Sequence, residues 1–267
     1  MVSLEVLIRT FEKLWPSSSS DSWDYPGLAF GSKGSQVSKV LLTVDVTSAV
    51  IDEAIDLGAQ LILAHHPVLL RGVQELGAET IKGNIATRAI KNNIAVFSAH
   101  TNADKAEVGT ASALVQAIGA QISGPLDPES GHGAVCLLSK PEALVAFAAR
   151  FAKLLPSVAA GIKVAGDPEM EISTFAIAPG AGDSFLGHAL QADVDLFITS
   201  DLRHHPAQDF LESNSVGKKI ALMDISHWAA ESMWLPLAQK ELMKLHPDVE
   251  FVLSDTRTDP WDFAVMQ

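Results

Sequence analysis

The chain has 267 residues, of which 48% are hydrophobic and 19% are charged. Such a composition can build a sizeable core, and it excludes a chain that is disordered throughout. Lys and Arg number 19 against 32 Asp and Glu, which gives a net charge of −13. This acidic balance argues against nucleic acid or a membrane surface as a partner, because both attract basic patches.

The histidine and cysteine content restricts the kind of metal site that the chain can build. There are nine His and one Cys, which excludes an internal disulfide and any Cys-rich zinc or iron–sulfur site. A metal site would therefore use imidazole and carboxylate ligands. The cysteine, Cys136, lies in an apolar run, where we expect core packing rather than nucleophilic chemistry. The unpaired thiol and the absence of a signal peptide or a spanning segment predict a cytoplasmic protein.

The first part of the sequence alternates helical and strand patterns. Apolar residues at helical spacing predict an amphipathic helix over residues 4–14, before Pro16. The predicted strands that follow are residues 39–45, 60–64 and 94–98. The predicted helices are residues 48–57, 80–92 and 109–119. This rhythm is typical of parallel strands joined by helices.

Residues 124–133, a stretch rich in Pro, Gly and acidic residues, predict a boundary between two lobes. We place the lobes at residues 1–128 and 129–267, with 226–267 able to pack back onto the first lobe. Beyond the boundary the predicted strands are residues 134–138, 172–178, 195–199, 220–224 and 250–254. The predicted helices are residues 142–155, opened by Pro141, and 184–191, 207–212 and 228–244. We expect an α/β fold in which each lobe has a mixed or mostly parallel sheet flanked by helices, with a ligand site at the carboxyl ends of the strands.

Two adjacent histidines follow the second predicted strand. His65 and His66 precede Pro67, which favours an extended conformation at His66. Side chains of neighbouring residues within a strand point to opposite faces, but at a strand end the chain can turn, so the two imidazoles could each serve a different metal ion. An accidental pair on the surface is the alternative.

Two further polar groups also follow predicted strands. His100, Asn102 and Asp104 offer an imidazole and a carboxylate, although Asn and Asp here could simply form a turn. His227 and Glu231 are four residues apart on one helix face, where an ordinary His–Glu pair is the alternative. Together the three groups could hold two divalent ions, with Glu231 bridging. Mixed nitrogen and oxygen ligation suits Zn, Fe, Mn, Co or Ni and does not choose among them.

Six pieces of the sequence carry a resemblance to a known family. They are WDYPGL from Trp23, DVT from Asp45, AHHP from Ala64, HTNAD from His100, DLRHH from Asp201 and DISHWAAE from Asp224. In this order they resemble the GTP cyclohydrolase 1 type 2 homologue family, also called the Nif-three-like dinuclear metal-centre hexameric proteins. The resemblance implies a two-lobed α/β protein, a two-metal centre and a homohexamer, either a trimer of dimers or a dimer of trimers.

The resemblance also implies which residues ligate the metals. By this likeness His65, Asp104 and Glu231 would hold one ion, while His66, His227 and Glu231 would hold the other. The likeness makes His100 and His205 residues of the pocket, and they are our candidates for the catalytic acid or base. Tyr25-Pro26, Ser226 and Trp228 depart from the family's usual residues, which affects the shape of the pocket rather than the ligands.

The expected function is that of a metal-dependent hydrolase acting on a small anionic, cyclic-amide or nucleotide-like substrate. The alternative is a non-catalytic hexamer that binds metal and serves as a scaffold or regulator. A glycine-rich run at residues 179–187 is similar to a dinucleotide or phosphate loop. Phe185 takes the place of its third glycine, which favours a tight turn between a strand and a helix instead.

Overall fold

The computed structural model describes residues 1–213 and 217–265, along which strands and helices alternate. The strands are β1 (Val2–Ser3), β2 (Gly27–Phe30), β3 (Gln36–Val37), β4 (Lys39–Thr43), β5 (Leu61–Ala64), β6 (Ala95–Ser98), β7 (Gln121–Gly124), β8 (Ala134–Ala143), β9 (Lys163–Ala165), β10 (Glu171–Ala181), β11 (Leu196–Ser200), β12 (Ala221–Ile225) and β13 (Glu250–Leu253). The α-helices are α1 (Leu4–Leu14), α2 (Ser48–Asp56), α3 (Ile81–Lys91), α4 (Thr101–Asp104), α5 (Thr110–Ile118), α6 (Leu144–Ala152), α7 (Leu186–Gln191), α8 (His204–Ser213), α9 (His227–Ser232) and α10 (Trp234–Leu245). Among these described helices, none has both the length and the apolar character needed to cross a bilayer.

The chain divides into two compact units. The first unit is Met1–Val108 with Leu235–Thr258, and the second unit is Gly109–Trp234 with Asp259–Gln267. Each unit has its own sheet with helices packed against it. This arrangement confirms the predicted mixed α/β class. The predicted domain boundary at residues 128 and 129 stays a prediction.

The first unit is built on a five-stranded sheet in the order β13-β4-β5-β6-β2. The first four strands are parallel, and β2 runs antiparallel to β6 at one edge. All four residues of β5 and of β6 are buried, which explains their continuous apolar character. Neighbouring parallel strands end at the same edge of a sheet. The residues that follow β13, β4, β5 and β6 therefore leave the sheet at one common edge.

The second unit contains a six-stranded sheet in the order β7-β8-β10-β11-β12-β9. Its central strands β10, β11 and β12 are parallel, while the outer strands pair antiparallel with their neighbours. Phe147, Phe151 and Phe175 are fully buried in the core on one side of this sheet. Cys136 is also buried there, which confirms that it packs as a core residue. This burial raises the pKa of its thiol to about 12.

The prediction that Pro141 opens a helix is wrong. Pro141 lies in β8, and α6 begins at Leu144. The register of β8 against β10 shifts between the partners of Ile172 and Thr174, so Pro141 lies in an irregular part of the pairing. Because proline has no backbone N–H, such an irregularity tolerates it within a strand.

The predicted long helix over residues 228–244 is divided into α9 and α10 at Met233. Pro236 lies in the first turn of α10 and cannot donate a hydrogen bond to the carbonyl four residues earlier, at Ser232. The break separates the helix that carries His227 and Glu231 from the helix that returns to the first unit. The short strands β1, β2, β3, β7 and β9 were not predicted. They are too short for a periodic pattern, and they lack the fully buried apolar run that marks β5 and β6.

Candidate metal centre

His65 lies directly after β5 and is completely buried. Its Nδ1 atom is 2.9 Å from the carbonyl oxygen of Ala99. A carbonyl can only accept, so Nδ1 carries the proton and Nε2 carries the lone pair in the neutral ring. Nε2 lies 3.6 Å from Oδ1 of Asp104. The first of the adjacent histidines therefore directs its basic nitrogen toward a predicted carboxylate ligand.

His66 has a different partner. Its Nδ1 atom is 2.7 Å from Oδ1 of Asp45, which follows β4. The ring centroids of His65 and His66 are 5.0 Å apart and the ring planes are inclined by 44°. The two imidazoles are thus fixed separately, one by a backbone carbonyl and the other by a carboxylate. Both residues lie past the end of β5, so the opposite-face alternation of a strand does not separate them and the two rings stay close together.

His100 is the third imidazole at this edge of the first unit. Its Nδ1 atom lies 3.0 Å from Oδ2 of Asp24, which also accepts from the hydroxyl of Thr101 at 2.7 Å. Burial opposes ionisation of Asp24, but the hydrogen bonds from His100 and Thr101 outweigh it and lower the pKa of the carboxyl. One ring nitrogen from each of His65, His66 and His100 lies within 4.8 Å of the others. Three imidazoles therefore converge where the parallel strands end.

The segment that carries Asp104 also contains the turn that was the alternative interpretation. Asn102 Oδ1 accepts from the backbone N–H of His100 at 2.8 Å, and its Nδ2 donates to the carbonyl of Trp15 at 2.7 Å. Asn102 therefore has a structural role in shaping α4. Asp104, at the end of the same short helix, is the residue that faces His65.

In the second unit, His227 and Glu231 form a pair on α9. Nε2 of His227 lies 2.9 Å from Oε1 of Glu231, which is only 3% exposed. Nδ1 of His227 lies 2.7 Å from Oδ2 of Asp201, the residue that follows β11. Burial opposes protonation of the ring, but the two carboxylates outweigh it and raise the pKa of His227 to about 11 without a metal ion. The hydrogen bond from His227 in turn lowers the pKa of Asp201.

The glycine-rich run that begins in the last residues of β10 brings backbone close to these side chains. Gly180 has φ +83°, and a Cβ atom there would lie 3.0 Å from Oε1 of Glu231. A Cβ atom on Gly182 would clash with Oγ1 of Thr199. Both glycines are therefore required by close packing, which accounts for this run without a bound nucleotide.

His205 is the predicted site residue that lies apart from these groups. It is exposed near the start of α8, and its ring centroid is 5.1 Å from that of His204. Within the described residues, the groups able to hold a metal ion include neither Asp104, which lies 3.6 Å from His65, nor His205. Its catalytic role stays a prediction.

Three aspartates have a carboxylate oxygen within 3.0 Å of Nδ1 of an imidazole, and the sequence predicted no role for them. They are Asp24, Asp45 and Asp201. Each lies in a piece of sequence that carries the family resemblance. Their position was therefore visible in the sequence. Their function was not, because it depends on which strand ends lie side by side.

Comparison with known proteins decides the family. Residues 2–260 match the family described as Duf34/NIF3 (NGG1p interacting factor 3). A Streptomyces coelicolor protein named GTP cyclohydrolase 1 type 2 homolog is 41% identical over 98% of this chain and 94% of its own length. The chain belongs to the Duf34/NIF3 family. A Clostridium perfringens protein with the same name is 32% identical to this Duf34/NIF3 chain, over 98% of the chain and all of the relative.

Solved structures show that the fold is shared as well. A Bacillus cereus protein related to NIF3 superposes on this Duf34/NIF3 chain with a TM-score of 0.90 at 21% identity, over 99% of this chain and 100% of the other. A Staphylococcus aureus protein gives a TM-score of 0.87 at 24% identity, over 98% and 99% of the two chains. The family match and the 41% identical relative confirm the family predicted from the six sequence pieces.

Proposed function

We propose that this Duf34/NIF3 protein binds two divalent metal ions and acts as a metal-dependent hydrolase. The observation that supports metal binding is how the imidazoles are held. His65, His66 and His227 each have Nδ1 at 2.7–2.9 Å from a carbonyl or carboxylate oxygen. Metal-ligating histidines almost always donate their second ring N–H in this way, which orients the lone pair of the other nitrogen toward the ion. The donor set fits Zn, Fe, Mn, Co or Ni.

The proposed assignment of ligands follows the family resemblance. His65 and Asp104 would hold one ion, His66 and His227 the other, and Glu231 would bridge them. That ligands from both units serve the same pair of ions rests on the resemblance alone. Two ligating carboxylates neutralise only half of the charge of two divalent ions, so the centre would attract a small anion despite the acidic charge of the chain.

The chemistry that such ions supply when bound is polarisation of a carbonyl or phosphoryl oxygen. The residues around them would orient the substrate and move its protons. His100 is the first candidate for this work, because Asp24 holds its Nδ1 atom and leaves Nε2 as the atom that exchanges a proton. His205 is the second candidate, and its exposure leaves it accessible to a ligand.

A cavity of about 500 Å³ in the second unit is lined by Lys163, Arg203 and Asp224, among other residues. Lys163 pairs with Asp224, and Arg203 pairs with Asp183, so these two cations are already neutralised. The expectation of an anionic substrate therefore rests on the charge of the proposed metal ions. The name of the relatives, GTP cyclohydrolase 1 type 2 homolog, adds nucleotides to the substrates worth testing.

Replacing His66 by alanine should abolish turnover, because the variant loses an ion ligand while the fold of the sheet is unchanged. The measurement is a screen of metal-loaded protein against phosphoesters, nucleotides and cyclic amides, with thermal unfolding as a check on folding. His246→Ala is the matched control, since His246 belongs to the same unit and bonds Thr10 at 2.7 Å. If protein with both ions bound turns over no substrate class, the hydrolase proposal fails and the non-catalytic metal-binding hexamer replaces it.

We also propose that the protein is a homohexamer, as the family resemblance implies. Light scattering should then give a mass about six times the 28.4 kDa of one chain. A mass of one chain, measured over the range of concentrations used for activity, would contradict the hexamer without affecting the ligand assignment.

A further inference from the structure

We propose that residues 254–259, termed here the C-terminal clasp, position the candidate metal ligands of both units. The proposal rests on the metal-binding function above and adds residues that contact no ion. The clasp follows β13, the strand that lies parallel to β4 at one edge of the first sheet. Because parallel neighbours end at the same edge, the clasp leaves the sheet beside the residues that follow β4.

In the first unit the clasp acts on His66 through Asp45. The hydroxyl of Thr258 donates to Oδ2 of Asp45 at 2.6 Å. The other oxygen of this carboxylate, Oδ1, lies 2.7 Å from Nδ1 of His66. Both carboxylate oxygens are thus engaged, which prevents rotation of the group that orients the imidazole. Thr258 is therefore a positioning residue for a predicted ligand.

Glu53, on α2, fixes the start of the clasp. It accepts from the hydroxyl of Ser254 at 2.5 Å, from the backbone N–H of Asp255 at 2.7 Å and from the hydroxyl of Thr256 at 2.7 Å. Burial opposes ionisation of Glu53, but these bonds outweigh it and lower the pKa of its carboxyl. Three bonds to one ionised group hold the segment that leads to Thr258.

In the second unit the clasp acts on the start of α9 through Ser226. Asp259 is buried, and its Oδ2 accepts from the hydroxyl of Ser226 at 2.6 Å. The same hydroxyl oxygen accepts from the backbone N–H of Ala229 at 3.1 Å and so caps α9. Because α9 carries His227 and Glu231, fixing its first turn fixes the direction of both side chains.

Thr258 and Asp259 are consecutive residues. A single peptide bond therefore joins the group that supports His66 in one unit to the group that supports the helix of His227 in the other. Neither residue is a ligand, so their loss should weaken metal binding without abolishing it. Partners bonded directly to a ligating imidazole typically change metal affinity by about 10–100-fold. Thr258 is one hydrogen bond further from the ion, and Asp259 acts through the cap of α9, so we expect a smaller effect of about 3–10-fold for each.

Thr258→Val tests the support of His66 through Asp45, because it removes the hydroxyl and preserves the shape of the side chain. Full-length apo-protein would be titrated with Co²⁺, whose visible absorption bands report the geometry of its ligands. Weaker binding and altered bands are expected for Thr258→Val, with both restored in Thr258→Ser. Thr80→Val is the matched control, because it loses a threonine hydroxyl of the same unit that caps α3 and lies outside the clasp. It should lower the unfolding temperature of the apo-protein and leave Co²⁺ affinity unchanged.

Ser226→Ala tests the support of α9 through Ser226 in the same titration. Its control is Ser232→Ala, on the same helix, whose hydroxyl donates only to the carbonyl of Ala229 within that helix. The first variant should bind Co²⁺ more weakly than the second. If both Thr258→Val and Ser226→Ala keep wild-type affinity and spectrum, or if their controls lose as much, the clasp has no positioning role. A wild-type protein that binds no Co²⁺ would instead overturn the metal-binding function itself.

Discussion

Replacing Glu231 by alanine should remove both metal ions from the protein. The proposed bridging role makes this carboxylate a ligand of each ion, and its near-complete burial leaves little room for water to replace it as a ligand. We expect the affinity for each ion to fall by at least about 100-fold, more than outer partners of ligands typically cost. Metal analysis after reconstitution and dialysis measures the effect directly.

Glu241→Ala is the matched control for Glu231→Ala. Glu241 lies on α10 and pairs with Lys244 at 2.7 Å, with no candidate ligand as partner in that ion pair. It should keep the wild-type metal content. Loss of a single ion from Glu231→Ala would contradict the bridging role, while retention of both ions would remove Glu231 from the site.

Asp201→Asn should weaken binding of the ion assigned to His227 by about 10–100-fold, the range seen for partners of ligating imidazoles. The asparagine side chain can still accept a hydrogen bond from Nδ1 of His227, but it has no charge to raise the basicity of the ring. Asp201 has φ 56°, a left-handed conformation that asparagine adopts as readily as aspartate. The substitution therefore changes the electrostatics of the pair and spares the backbone.

Asp193→Asn is the matched control, since Asp193 also has a left-handed φ, 48°, and pairs with Lys218 away from α9. Its metal affinity should equal that of the wild type. In the apo-protein, NMR titration should show that Asp201→Asn lowers the pKa of His227 below the wild-type value of about 11. The reason is the loss of a negative partner that favours the protonated ring. An unchanged metal affinity in Asp201→Asn would show that Asp201 does not support a ligand.

The strand ends were predictable from the sequence, and so were the polar residues that follow them. Short apolar runs before His65 and before His100 predicted strands, and the structure places both imidazoles at the edge where those strands end. The spacing of His227 and Glu231 predicted a shared helix face, and their side chains are 2.9 Å apart. These predictions succeeded because each depends only on residues close together in the chain.

The partners of the imidazoles were not predictable in the same way. Asp45 lies 21 residues before His66, and Thr258 lies 213 residues after Asp45. Only the order of strands in the sheet, with β13 beside β4 and β4 beside β5, brings these three residues together. Ser226 shows the same limit: it is recognisable as a helix cap in the sequence, but its bond to Asp259 depends on the course of the C-terminal segment.

The central claim is that this Duf34/NIF3 chain is a two-metal protein, and the most direct test is its metal content. Protein purified without chelator and reconstituted with a divalent transition metal should contain about two ions per chain, measured by elemental analysis against protein concentration. The content should fall below one when Glu231 is replaced by alanine. A folded wild-type protein that retains no divalent ion after reconstitution would contradict the account.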